Sequence, residues 1–153
     1  MKVKPIKRHE ALKDLSRDHH HGLLLCWKIR TGFSKGIAEE RIKSYVDWFF
    51  TEHLMPHFKE EEKYIFPILG DNNDLVKRAL AEHRRLIRLF TDTENATKSL
   101  HRIEEELEQH IRFEERVLFN EIQQVATKEQ LEIVQKLHTH GKFNDNTNDK
   151  FWE

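Results

Sequence analysis

Apolar positions along this chain recur at three- and four-residue spacing, in blocks separated by short polar breaks. That period marks amphipathic helices. Residues 1–15 read as a polar lead-in pinned by Leu12 and Leu15. Ser16 suits an N-cap, with Asp18 in the first turn where negative charge favours the helix dipole. A first helix, A, is expected over about 17–30, carrying Leu23, Leu24, Cys26, Trp27 and Ile29, and residues 31–36 read as a glycine-flanked loop. Helix B follows over about 37–69, with Tyr45, Val46, Trp48, Phe49 and Phe50 in its first half. Pro56 lies inside it and predicts a kink or short break, because proline removes a backbone donor and crowds the preceding turn. Residues 70–74 form a turn. Helix C (about 75–90) aligns Val76, Ala79, His83, Leu86 and Phe90, and helix D (about 96–125) aligns Ile103, Leu107, His110, Glu114, Leu118 and Ile122. Thr127, with Gln130 three residues on, predicts a capping box for a shorter fifth helix ending before Gly141. The polar tail closes on Phe151-Trp152, expected to pack back onto the rest. The pattern predicts an all-α single domain over 1–153: an up-down-up-down four-helix bundle over about 16–125, then a short C-terminal helix and tail over 127–153.

Composition narrows the class. Charged residues make up 35% and hydrophobic ones 37%, which suits solvated helices around a narrow seam. The net charge of −1, with both signs interleaved, gives no reason to expect nucleic acid or an anionic membrane as partner. No apolar run approaches the ~18–20 residues of a membrane span, and the basic N-terminus lacks a signal-peptide core. The single cysteine, Cys26, excludes an internal disulfide and fits a reducing cytoplasm, with the side chain expected as a small buried hydrophobe. The eleven histidines are about three times ordinary usage, and they redirect attention to metals.

The chain writes one stretch twice. His57-Phe58-Lys59-Glu60-Glu61 through Phe66 is answered 53 residues later by His110-Ile111-Arg112-Phe113-Glu114 through Phe119. Residues i and i+4 share a helix face, so His57 pairs with Glu61 and His110 with Glu114. A single such pair is more often a solvated face. Two copies with matching apolar flanks point inward instead, where an imidazole and a carboxylate need a partner such as a metal ion. A weaker repeat relates Asp18-His19-His20-His21 on helix A to Glu82-His83 on helix C. Candidate ligands are therefore His57, Glu61, His83, His110, Glu114 and either His19 or His20, which the pattern does not separate. Bridging carboxylates and capping imidazoles suit two ions. Iron is favoured because such a site handles oxygen species, with manganese or zinc as alternatives. His9, His21, His101, His138 and His140 are expected on the surface. Glu60, Glu62 and Glu115 are expected as surface charges, although the recurrence of Glu62 and Glu115 in both copies makes pairing with Arg or Lys the alternative. Tyr64, three residues after Glu61, is a candidate to line the site.

These motifs resemble those of the hemerythrin-like family, the HHE cation-binding domain, over about residues 16–125. The resemblance implies a four-helix bundle holding a non-haem di-iron centre with an oxo or hydroxo bridge. It implies His57 and Glu61 as ligands from helix B, His83 from C, His110 and Glu114 from D, and His19 or His20 from A. Two departures separate the chain from the oxygen carriers of that family. Helix C lacks a second histidine one turn from His83, where Ala79 and Ile87 stand, and helix D carries HxxxE rather than a longer histidine-to-aspartate spacing. The resemblance then implies an open position that favours reaction with oxygen, peroxide or nitric oxide over reversible carriage. His53, one turn before His57, is a candidate to fill that gap, although support of the ligands or of the kink is the favoured role.

The expected function is a di-iron protein that binds or reacts with a small diatomic or peroxide ligand, in sensing or stress response. Iron storage, donation or ferroxidase activity is the alternative, as is a structural metal site in an interaction domain. No catalytic base or substrate pocket can be read from the chain, so no enzymatic activity is assigned, and no protein partner is identified.

Overall fold

The computed structural model describes residues 7–137 and 143–153, and among these the chain is helical with no strand. The first long helix, α1, spans Lys13–Ser34. It begins earlier than the Ser16 cap predicts, because a short 3-10 turn at Glu10–Leu12, capped by the His9 side chain on the Ala11 N–H, feeds directly into it. Ser16 instead donates from inside the helix to Glu115. The helix also runs through the expected loop. Gly32 lets it do so: a Cβ there would meet Ile42 and Phe151 side chains at 2.8 Å. The reversal falls later, at Gly36, whose φ of 70° suits glycine.

The second rod runs through α2 (Glu39–Phe49), a π-helical turn (Phe50–Leu54), α3 (Met55–Glu60), a second π-helical turn (Glu61–Ile65) and a 3-10 turn (Phe66–Ile68). Pro56 does not break it. The wider turn before the proline closes with the Met55 N–H on the Phe50 carbonyl, absorbing the donor that Pro56 lacks. After a turn at Gly70 (φ 88°), Asn73 caps α4 (Asp74–Thr91) by accepting from the Leu75 and Val76 N–H groups. Asn95 caps α5 (Ala96–Phe113), which continues through a π-helical turn (Glu114–Leu118) into α6 (Phe119–Val125). The capping box of α7 (Lys128–Leu137) forms as expected, with Thr127 and Gln130 bonded reciprocally. Its predicted end before Gly141, and His138 and His140, lie outside the described residues.

Helix α5 packs along both α1 and α4, and α1 also packs against α2. Two apolar clusters result. One gathers Leu25, Ile29, Val46, Phe90, Leu100 and Phe151; the other gathers Leu12, Leu15, Ile65, Phe113, Phe119 and Ile122. On each long rod the inward polar residues fall between members of the two clusters: His19 between Leu15 and Leu25, Glu61 between Phe58 and Ile65, His83 between Ala79 and Leu86, and His110 and Glu114 between Leu107 and Leu118. A polar layer therefore crosses an otherwise apolar interior. The tail returns as expected. Phe151 is fully buried, Asp145 accepts from Lys28 and Tyr45, and Asp149 pairs with Arg41. Cys26 is buried, and burial pushes its thiol up to about 12, so it packs as a hydrophobe.

Candidate metal centre

The i, i+4 spacing of each HxxxE copy places its histidine and glutamate on one buried face. Both copies then pass into a π-helical turn beginning at the glutamate itself, Glu61 or Glu114. Such turns are frequent at functional sites because they re-aim side chains within a helix. Glu61 and Glu114 are both completely buried, as is His83, and His19, His57 and His110 are nearly so.

The six side chains form two overlapping groups. His19, His57, Glu61 and Glu114 offer ligand atoms all within 4.8 Å of one another, and so do Glu61, His83, His110 and Glu114. Both carboxylates belong to both groups. His57 Nε2 lies 3.2 Å and His83 Nε2 3.3 Å from Glu61 Oε1, and His110 Nε2 lies 3.3 Å from Glu114 Oε1. Those contacts lack hydrogen-bond geometry: the three Nε2 atoms, both Glu61 oxygens and Glu114 Oε2 are buried with no hydrogen-bond partner. Buried polar atoms left unmatched cost ~1–3 kcal/mol each, so a concentration of them aimed at shared points fits metal ligation.

The outward nitrogens are all matched. His19 Nδ1 meets Glu115 Oε2 at 2.9 Å, His57 Nδ1 meets Asp18 Oδ2 at 3.0 Å, His83 Nδ1 meets Glu62 Oε2 at 2.8 Å, and His110 Nδ1 meets Glu82 Oε1 at 2.7 Å. An ionised carboxylate only accepts, so each Nδ1 carries a proton and each Nε2 is the nitrogen that faces inward, where His19 Nε2 meets Glu114 Oε1 at 2.9 Å. Glu62 thus serves a histidine rather than the Arg or Lys partner its recurrence suggests, whereas Glu115 serves both His19 and Arg8, whose Nη2 lies 4.0 Å from Glu115 Oε1. Asp18 and Glu82 each precede a converging histidine in sequence yet bond a different one. The first α1 residue after Asp18 is the inward His19, but Asp18 itself reaches across to His57.

Electrostatics follow from this wiring. Burial pulls every one of the four imidazole pKa values down, but the facing carboxylates outweigh it. The net shift is upward for His19 and His83, well upward for His57, and up to about 10 for His110. Burial pushes the Glu114 carboxyl up, yet His110 and His19 hold it well below the usual carboxylate range. Without a cation, then, the site holds protons on its histidines; a cation would replace them.

The other candidates are placed differently. His20, the alternative to His19, is exposed and does not join the group. His53 does not converge either; its ring lies among Trp48, Phe49 and Phe143. Tyr64 carries Lys63 over its ring rather than bonding a site carboxylate. His101 stacks on Phe33, and His21 is half-buried against Phe143 rather than on the open surface.

A helical bundle with buried, convergent histidines and carboxylates defines a metal-binding protein class. The chain belongs to the hemerythrin HHE cation-binding domain family, whose model matches residues 7–100. The match takes in the first HxxxE copy and His83 and stops short of His110 and Glu114, which the fold brings to the same place. No curated protein and no solved structure matches the chain.

Proposed function

We propose that this is a non-haem di-iron protein of the hemerythrin type that binds or reacts with a small oxidant, with oxygen, peroxide or nitric oxide as the ligand class. His19 and His57 would hold one iron and His83 and His110 the other, with Glu61 and Glu114 shared by both, and the pair would carry an oxo or hydroxo group. The single observation that carries this is the membership of both carboxylates in two four-residue donor groups, each with its own pair of imidazoles. Mixed nitrogen and oxygen donors suit iron or manganese, and zinc remains chemically compatible. Four outer carboxylates add negative charge around the site, which favours a pair of highly charged cations. When bound, a pair of irons supplies one- and two-electron chemistry toward oxygen species.

The chain's own residues do the rest. Asp18, Glu62, Glu82 and Glu115 hold each imidazole in one tautomer and orientation. Phe58 stacks on His83 at 3.9 Å and Phe66 approaches it at 5.4 Å, shielding that imidazole, while a partly open cavity reaches His19, His57 and His110. Among the described residues no helix is long and apolar enough to cross a membrane. An up-down-up-down arrangement of the rods and a cytoplasmic role in sensing or stress response complete the proposal. The test is anaerobic loading with ferrous iron, followed by separate addition of oxygen, hydrogen peroxide and nitric oxide. A change in the visible spectrum with at least one of them is expected; an iron-loaded protein inert to all three would overturn the assignment.

A further inference from the structure

A small cavity, partly open to solvent, has His19, His57, His110 and Glu114 among its lining. Two further imidazoles line it that belong to neither donor group, His21 and His53. Both are fixed by rings. His53 lies 5.0 Å from Trp48 and 4.5 Å from Phe143, and His21 stacks on the same Phe143 at 4.0 Å and 17°. His21 Nδ1 is buried with no hydrogen-bond partner. Burial also lowers the His53 pKa, keeping a neutral ring that still carries one N–H donor. The remaining walls include Gly22, Leu54, Phe58 and Ile111, so the polar groups of this space are the candidate centre, these two imidazoles and Asp18, whose carboxylate accepts from His57 Nδ1 at 3.0 Å. An apolar cavity with a few converging polar groups is the ordinary form of a small-ligand site.

We propose that His21 and His53 are hydrogen-bonding residues for a small anionic ligand of two or three heavy atoms seated in this cavity, its inner end toward the metal centre and its outer end toward the imidazoles. The proposal rests on the di-iron reading above. In low-dielectric surroundings a fixed donor stabilises charge on the outer atom more than water would. The pair would therefore select ligands that carry negative charge at that atom and disfavour neutral diatomics that do not.

The test uses azide as probe on the iron-loaded full chain, with iron content measured in every sample. His53→Phe and His21→Phe keep an aromatic ring against Phe143 while removing the nitrogens. Each is expected to retain iron, to weaken azide about five- to tenfold, and to shift the azide stretching band in the infrared. His53→Gln keeps a donor and should bind azide within about twofold of the parent protein. Iron-loaded Phe variants with parental affinity and an unshifted band overturn the proposal. So does a His53→Gln variant as weak as His53→Phe, since packing alone then explains the loss. A parent chain that takes up no metal overturns the di-iron reading first, and this proposal with it.

Discussion

His19 is gripped at both ring nitrogens by consecutive residues of another rod: Nδ1 lies 2.9 Å from Glu115 Oε2 and Nε2 2.9 Å from Glu114 Oε1. The same exchange repeats around the interior. The rod of α1 gives Asp18 to His57, the rod of α2 and α3 gives Glu62 to His83, α4 gives Glu82 to His110, and the rod of α5 gives Glu115 back to His19. The four pairs form a closed cycle in which every rod both supplies a carboxylate and receives one.

In the proposed metal site the outer carboxylates would act through the imidazoles they hold. Asp18→Asn and Glu115→Gln keep an acceptor but remove its charge. Each is expected to lower metal affinity about 10- to 100-fold with helix content unchanged, measured by competition with a chelator and by circular dichroism.

Shared and unshared donors should behave differently. Glu61 belongs to both donor groups, whereas His83 belongs to one. Glu61→Ala is expected to empty both positions, and His83→Ala to leave about one ion per chain at His19 and His57. Elemental analysis against protein concentration distinguishes them.

The metal-free protein should lose stability on the alkaline side. The folded-state pKa of His110 is raised from 6.5 to about 10, and His19, His57 and His83 shift the same way. A group raised on folding contributes fully below its unfolded pKa, and that contribution disappears as pH rises through the folded value. The Glu114 carboxyl is lowered, so its contribution is present above about 4.5 and is lost as pH falls through its folded value. Urea midpoints of the metal-free chain should therefore be highest between these limits and fall between pH 6.5 and 10. Metal binding requires deprotonated Nε2 atoms, so adding metal at pH 7 in weak buffer should release protons.

The tail is a structural strap. Phe151 is 1% exposed and contacts the position where a Gly32 Cβ would stand. Phe151→Ala should cost about 3–5 kcal/mol, and Gly32→Ala about 1–3 kcal/mol through overpacking. Both read out as shifts in thermal midpoint.

Much of this architecture was legible in the amino-acid sequence because helical spacing is a local property. The inward facing of His57 with Glu61 and of His110 with Glu114 follows from i, i+4 alone, and the pattern around Thr127 and Gln130 names its own cap. What local spacing does not carry is register between rods. His19 and His20 are adjacent and both have apolar neighbours. Only the packing of α1 against α5, with Gly22 so close that a Cβ would meet Ile111 at 2.7 Å, turns His19 inward and leaves His20 exposed. The same limit hid the partners of Asp18 and Glu82, whose histidines lie 39 and 28 residues away. The π-helical turns at Glu61 and Glu114 were hidden too, because they answer to the interior rather than to local propensity. Gly32 misled for a related reason: it signals a loop, yet here it marks a close approach within a helix.

The central claim is a two-ion site, and metal content per chain tests it most directly. Protein purified without chelator, or loaded anaerobically with ferrous iron and desalted, is expected to hold about two irons per chain and to show near-ultraviolet bands of a bridged pair after exposure to air. One ion or none per chain, with no such bands, would contradict the account.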